Sequence, residues 1–329
     1  MNNRIEAARQ EALKQIDSGL IQGAVFTANG GMPVIAVGKQ CIHPVERAMT
    51  ERSRFDIASA GKVFTAGCCA LLIADGKLDP DAPFVSYLPE YWDKNSDITI
   101  RDLALHVSGF DNSKPYNSPD MEVFYHELFH KRPIRPRLEA FEYACSNFIL
   151  LGMIVERLSG QRLDAVANQR LWTPLGMSQT RWDAPGEGPD EVEFHFPNRP
   201  AGQHNDQTSY YCGFPLGLGS CFSTAKDMML FAQDILERKQ FPAEYYDLIS
   251  TCGFEKNSAR RSFGWDMRAA HRPSGLSEQT IFHTGFTGQT ICVDPESDFA
   301  AVVLTSRTGD HEEAIRGRMR IIEALCGKS

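Results

Sequence analysis

One segment, residues 59–76, constrains the fold more than any other part of this 329-residue chain. It begins with Ser59 and Lys62 and continues as an almost unbroken apolar run, which predicts a helix from Ser59 to Gly76 that is buried on all sides. Residues three apart share one helix face, so a Lys62 made neutral by burial and the helix dipole can accept the Ser59 proton. Alternatively, Ser59 only caps the helix and Lys62 is solvated. Because Ser223 and Lys226 have the same spacing, the rest of the chain has to decide.

Charge and cysteine content exclude several classes of function. The net charge of -8 and the pI near 5.6 argue against nucleic acids and anionic membranes as partners, because no basic surface is available for phosphates. The nine cysteines show no repeated metal-ligand spacing, which is typical of reduced thiols. No signal-peptide pattern follows the first residues and no apolar stretch is long enough to span a bilayer, so we expect a cytoplasmic protein.

The order of the predicted elements indicates an α/β (α+β) fold. Strands are predicted for residues 23–31 and 33–38 near the start and for 280–286, 289–293 and 299–305 near the end, with helical patterns between them. Strands at both ends imply one antiparallel sheet that is flanked by helices and interrupted by a large all-α insertion. We expect a single catalytic unit over residues 1–329, with a sheet lobe at about 1–75 and 255–329 and a helical lobe at about 76–254.

Three short motifs gain weight from their order and setting. The first is Ser59-Ala60-Gly61-Lys62, the second is Tyr143-Ala144-Cys145 before an apolar helix, and the third is His283-Thr284-Gly285 on a strand near the end. With these motifs the chain resembles the serine β-lactamase and penicillin-binding protein superfamily. It is most similar to the class C β-lactamase-like branch, which also holds family VIII carboxylesterases and D-aminopeptidases. The resemblance extends from Gly23 to about Arg307.

This resemblance implies a role for each motif. Ser59 attacks a carbonyl group and forms an acyl-enzyme, while Lys62 and the Tyr143 phenol share the proton transfers. The backbone N–H groups of Ser59 and Phe286 hold the oxyanion. His283, Thr284, Gly285 and Cys145 contact the substrate, and neither a cofactor nor a metal ion is expected.

Two departures from the family pattern bear on the substrate. The third motif usually begins with lysine, whose charge pairs with a substrate carboxylate, whereas His283 is largely neutral at pH 7. Cys145 stands where β-lactamases of this branch carry an asparagine that binds the substrate amide, and a thiol is a weak donor and acceptor. Both changes weaken the case for β-lactams and peptidoglycan.

A rival motif, His126-Glu127-Leu128-Phe129-His130, matches the zinc-peptidase pattern H-E-x-x-H. Its third ligand would come from Glu139, Glu142 or Glu156. Pro133 and Pro136 break the helix just after the motif, which argues against a zinc site. Arg307-Thr308-Gly309 imitates the third motif but suits a turn, and Ser223 is predicted to cap a helix.

The function that the sequence favours is a serine hydrolase that acts on a small ester or amide through an acyl-enzyme. We expect a carboxylesterase or a related acyl transferase. A D-amino-acid amidase or peptidase and a weak β-lactamase are alternatives within the same family. A zinc peptidase or a catalytically silent scaffold are the alternatives of another class. The oligomeric state is not indicated by the sequence.

Overall fold

The structure, a computed structural model, describes residues 2–43, 45–113, 119–186, 188–193 and 199–327. Parts of two segments rich in proline and asparagine, residues 111–119 and 183–215, lie outside these ranges. The α-helices of the described residues are α1 (Asn2–Asp17), α2 (Lys62–Ala74), α3 (Ile100–Leu105), α4 (Met121–His130), α5 (Cys145–Ser159), α6 (Leu163–Ala167), α7 (Thr173–Leu175), α8 (Gln207–Cys212), α9 (Ala225–Glu237), α10 (Ala243–Ser250) and α11 (His311–Cys326). The strands are β1 (Ile21–Ala28), β2 (Ile35–Cys41), β3 (Arg47–Ala48), β4 (Phe55–Asp56), β5 (Phe222–Ser223), β6 (Phe254–Lys256), β7 (Ala259–Ser262), β8 (Trp265–Asp266), β9 (Ile281–Gly285), β10 (Gln289–Asp294) and β11 (Phe299–Arg307).

Nine of these strands form one sheet, in the order β3-β2-β1-β11-β10-β9-β8-β7-β6. All neighbours in it are antiparallel, and β1 from the start of the chain pairs with β11 from the end. The antiparallel sheet built from both chain ends and flanked by helices is therefore confirmed. β4 and β5 form a separate pair.

The sheet has an apolar core on each face because its central strands alternate their side chains. In β11, Val302 and Leu304 face the core that contains α2 and α5, whereas Ala301 and Val303 face α1 and α11. All nine residues of β11 are buried, and the strand predicted for residues 299–305 is confirmed.

Helix α2 lies at the centre of the larger core. Eleven of its residues, from Lys62 to Leu72, are buried, as the apolar run predicted. Its start differs from the prediction, because residues Ala58–Gly61 form a 3₁₀ turn and the α-helix begins at Lys62. Ser59 therefore lies in a tight turn that precedes the helix. Among the described residues, no helix is both long and apolar enough to cross a bilayer.

Candidate active site

The turn that carries Ser59 is fixed by contacts from distant parts of the chain. Ala58 has a φ of 47°, a conformation that costs energy for a residue with a side chain. Its N–H donates to the Asp56 carboxylate at 2.8 Å, and its carbonyl accepts from the N–H of Ser220 at 2.9 Å. Gly219 passes so close that a Cβ atom there would lie 2.2 Å from the Ala58 carbonyl oxygen. These contacts compensate the strain and hold Ser59 in place.

Lys62 is the cation of the site and is fully buried. Its Nζ lies 3.1 Å from the Ser59 Oγ and 3.7 Å from the Cys145 Sγ, and it donates to the carbonyl oxygen of Leu218. The structure therefore places Lys62 within hydrogen-bonding distance of Ser59, as the sequence predicted. The alternative that Lys62 is a solvated first-turn residue is wrong.

Tyr143 reaches Ser59 from the other side. Its hydroxyl donates to the Ser59 Oγ at 2.8 Å. Its ring stacks on the His106 ring, with 4.5 Å between the ring centroids. The Nδ1 atom of His106 accepts from the backbone N–H of Ala144 at 3.2 Å and from the Asn147 side chain at 3.1 Å, so His106 is itself held in place. His106 thus supports the Tyr143 ring.

The pKa values of Lys62, Tyr143 and Cys145 depend on one another. Burial lowers the pKa of Lys62, but the anionic forms of Cys145 and Tyr143 outweigh it and raise this pKa above its ordinary value of 10.5. Burial raises the pKa of Tyr143 above 10.0 and that of Cys145 above 9.0, although Lys62 opposes both shifts. At neutral pH the phenol and the thiol are therefore both neutral, and the contribution of their anions to the Lys62 pKa is absent. The expectation of a neutral Lys62 stays a prediction.

The third motif lies on β9 beside the Ser59 turn. His283 is buried, and its Nδ1 donates to the carbonyl oxygen of Thr284 at 2.9 Å. Burial, with help from Arg261 and Lys62, lowers the pKa of His283 to about 3, so this histidine is neutral at pH 7 as predicted. A Cβ atom on Gly285 would lie 2.4 Å from the carbonyl oxygen of Ile57. Glycine therefore allows β9 to pack directly against the nucleophile turn.

Phe286 follows β9 and is about half exposed, at 48%. Its carbonyl oxygen accepts from the Nε of Arg307 at 2.8 Å, and its ring lies 4.4 Å from the Arg307 guanidinium carbon. Arg307 is the last residue of β11. It contacts the residue that directly follows the third motif, whose pattern Arg307-Thr308-Gly309 resembles. The backbone N–H groups of Ser59 and Phe286 as oxyanion donors remain a prediction.

Two clefts meet at Ser59, and both are also lined by Asp206 and Phe286. The first, of about 400 Å³, contains Tyr143, Cys145, His283 and Thr284 from the predicted motifs. The second, of about 410 Å³, runs along residues 205–207 and 218–220. The predicted site residues are thus brought together, with open space on two sides of the nucleophile for the two halves of a substrate.

Sequence reasoning missed a charged group on the β7–β8 side of the first cleft. Arg261, Asp266 and Arg268 line it, together with Phe141. Arg261 and Asp266 come from neighbouring strands β7 and β8, and their side chains form an ion pair of 3.3 Å. The only sequence signal was an arginine followed by an aspartate within the predicted sheet lobe, a pattern that a surface ion pair also produces.

The second Ser-x-x-Lys spacing is not part of this site. Ser223 lies in β5, and its hydroxyl is 2.8 Å from that of Thr180. The cap of α9 is Thr224, whose hydroxyl accepts from the N–H of Asp227 at 3.2 Å. The prediction that Ser223 caps the helix is therefore wrong by one residue, because the strand pairing with β4 extends through Ser223.

The H-E-x-x-H motif lies on α4, in a separate cavity. The His126 and His130 rings stack at 4.2 Å, and the His130 Nδ1 donates to the His126 carbonyl oxygen at 2.8 Å. Of the proposed third ligands, Glu142 pairs with Arg135 and Glu156 accepts from the N–H of Leu163. Within the described ranges, no group of three or more histidine, cysteine, aspartate or glutamate side chains is arranged to hold a metal ion.

Comparisons with known proteins agree with this geometry. The family model described as Beta-lactamase matches residues 21–325. The N-acetylmuramyl-L-alanine amidase of Bacillus subtilis (strain 168) is 26% identical over 304 residues, which cover 79% of this chain and 69% of that protein.

Two solved structures share the fold. EstCE1, a hydrolase with promiscuous acyltransferase activity, superposes with a TM-score of 0.83 at 18% identity and 99% coverage of both chains. The D-amino acid amidase of Ochrobactrum anthropi SV3 superposes with a TM-score of 0.77 at 18% identity, also with 99% coverage of both chains. The family model spans nearly the whole chain, and the fold predicted from the three motifs is confirmed. The chain therefore belongs to the β-lactamase family of serine hydrolases.

Proposed function

We propose that this chain is a carboxylesterase that hydrolyses small esters through an acyl-enzyme on Ser59. The observation that carries the proposal is the pair of donors, Lys62 and Tyr143, on the Ser59 Oγ at 3.1 and 2.8 Å, at the junction of two clefts. The proposed catalytic unit comprises the whole chain. β1 and β11, near the two ends of the chain, pair in one sheet, and the site draws on segments between them, from β4 to β9.

Acylation requires that the pair of Lys62 and Tyr143 first loses one proton. The Ser59 Oγ then bonds to the carbonyl carbon while its proton passes to the deprotonated member of the pair. The bond to the leaving alkoxide breaks, and the alkoxide takes up that proton. In deacylation, a water molecule gives its proton to the same pair, bonds to the acyl carbon, and Ser59 leaves with its proton restored.

Esters are favoured over amides and β-lactams by the position of Cys145. Its Sγ lies 3.7 Å from the Lys62 Nζ, where the family pattern has an asparagine for the substrate amide. A thiol offers only weak hydrogen bonds. An alkoxide also leaves more readily than an amine, so an ester needs less help from the site. Two of the similar proteins are amidases. D-amino-acid amides, peptides and β-lactams are therefore the substrates to compare with esters.

Covalent labelling tests this proposal. A fluorophosphonate probe, located by mass spectrometry, is expected to modify Ser59 in the native protein and to fail in Ser59→Ala. Ser223→Ala is the matched control, because it removes the serine of the same spacing, and it should be labelled at the native rate. Equal labelling of Ser59→Ala would refute the assignment.

Substrate comparison tests the finer claim. p-Nitrophenyl esters, p-nitroanilides of D-amino acids and a chromogenic cephalosporin are assayed with the same preparation. We expect the highest kcat/KM for an ester, abolished in Ser59→Ala. A higher kcat/KM for an anilide or the cephalosporin would replace the esterase by that activity.

A further inference from the structure

The β7–β8 side of the first cleft contains an arginine with unused hydrogen-bonding capacity. Arg261 is only 2% exposed and lines this cleft. Its Nη1 lies 3.3 Å from the Asp266 carboxylate, but among the described residues its Nε and Nη2 have no hydrogen-bond partner. A buried guanidinium with two unpaired nitrogens is costly, so such groups usually face a ligand or ordered water.

Asp266 does not neutralise the cleft by itself. Arg268 donates from its Nε to both Asp266 oxygens, at 3.0 and 2.8 Å. The Arg261 and Arg268 guanidinium carbons also lie 5.2 and 5.4 Å from the Phe141 ring centroid, which fixes their orientation. Burial lowers the pKa of Arg261, with Asp266 opposing, but arginine begins so far above neutrality that it stays charged. Two cations therefore share one carboxylate.

Two further carboxylates line this cleft, Glu312 and Asp206, and each has contacts of its own away from Arg261. His283 is neutral, and its Nε2 has no partner among the described residues. Glu312 lies 3.5 Å from the His271 Nε2, at the cleft margin. Asp206 lines both clefts near Ser59, and its carboxylate caps α8 through the N–H of Ser209 at 2.8 Å.

We propose that the β7–β8 side of the first cleft binds a carboxylate of the substrate, with Arg261 as the residue that selects it. The planar guanidinium presents Nε and Nη2 side by side, the pair of donors that binds both oxygens of a carboxylate. The cation is Arg261 on β7, and β8 separates this strand from β9 in the sheet. It is therefore not the first residue of the third motif, which lies on β9. The substrate class is then an ester that carries a second, ionised acid group. This inference rests on the proposed acyl-enzyme function.

Matched pairs of esters test which half of the substrate carries the charge. Mono-p-nitrophenyl adipate is compared with p-nitrophenyl hexanoate for a carboxylate on the acyl side. 4-Acetoxybenzoate is compared with its methyl ester for a carboxylate on the leaving group. In at least one pair we expect the anionic ester to have a kcat/KM about tenfold or more above that of the neutral one, as a charge-assisted bidentate contact allows.

The variant Arg261→Met removes the charge and keeps most of the side-chain volume. It should abolish the preference, so that the ratio of kcat/KM for the anionic ester to kcat/KM for the neutral ester falls to about one. Arg260→Met is the control, because Arg260 precedes Arg261 in β7 and its side chain points to the other face of the sheet. Its Nε pairs with the Glu255 carboxylate at 3.4 Å. If Arg261→Met does not fold, Arg261→Lys takes its place and should retain only part of the preference.

Each outcome separates the two proposals. If the native protein prefers neither anionic ester over its neutral partner, the proposed carboxylate site is overturned. Turnover of the neutral esters in that case still supports the proposed esterase. A preference that persists in Arg261→Met, or that Arg260→Met also removes, likewise overturns the role of Arg261. If the native protein shows neither labelling of Ser59 nor turnover of any ester, the proposed function itself is refuted. Adipate alone should also slow fluorophosphonate labelling of the native protein and not of Arg261→Met.

Discussion

Tyr143→Phe separates proton transfer from substrate binding. The substitution removes only the hydroxyl, since the ring stays stacked on His106 and 5.1 Å from the Lys62 Nζ. It also leaves the Lys62 contact to Ser59 in place. The change at the site is therefore the loss of one hydrogen bond of 2.8 Å and of one group that can carry the Ser59 proton.

Two effects of this change differ in size. Loss of one neutral hydrogen bond costs about 1 kcal/mol, which would alter KM by no more than about fivefold. Loss of a positioned proton carrier costs about 100- to 10,000-fold in rate, or about 3 to 5 kcal/mol in the activation barrier. We therefore expect kcat for a p-nitrophenyl ester to fall at least about 100-fold while KM changes little.

Steady-state kinetics and the rate of fluorophosphonate labelling measure this prediction. Tyr245→Phe is the matched control, because Tyr245 is fully buried and its hydroxyl has no hydrogen-bond partner in the part of the chain that the structure describes. It should keep the native kcat. A Tyr143→Phe protein with a kcat within about threefold of the native value, or with a change in KM alone, would refute the proton-transfer role.

Three further predictions follow from the same contacts. Because the pKa values of Lys62 and Tyr143 are shifted upward, the deprotonated pair is a minor species whose fraction grows tenfold per pH unit; log kcat/KM should rise with a slope near one up to about pH 9, and a plateau at neutral pH would contradict this. Gly219→Ala should abolish Ser59 labelling, since its Cβ would press on the Ala58 carbonyl and φ is +106°, and a native labelling rate would show that the turn does not need this contact. Phe64→Ala should lower the free energy of unfolding by about 3 to 5 kcal/mol in urea titrations, because Phe64 is fully buried with its ring against Trp172 and Phe231, and a loss under about 1 kcal/mol would contradict that packing.

The sequence was most informative where local pattern decides the structure. Residues 63–72 are almost all apolar, and a helix inside the core is the arrangement that buries them. The apolar run at residues 299–305 likewise predicted a strand, and β11 spans Phe299–Arg307. Ser59, Lys62 and Tyr143 were found because each stands in a short motif next to such an element.

What the sequence did not predict depends on contacts between distant residues. Ser59 lies in a 3₁₀ turn and not in α2, because Asp56 and the segment at Gly219 hold Ala58 at a positive φ. The charge state of Lys62 depends on Cys145 and Tyr143, about eighty positions away. Arg261 is directed into the cleft by the pairing of β7 with β6 and β8, which no local pattern encodes.

The contacts that surround Ser59 also bear on how the chain folds. They join residues separated by 84, 156 and 231 positions, through Tyr143, Leu218 and Thr287 respectively. Closing loops of this length is slow, and a compact intermediate with its helices formed but these loops open would not assemble the nucleophile. The rate of fluorophosphonate labelling during refolding therefore reports when long-range closure is complete, whereas circular dichroism reports the earlier formation of helices.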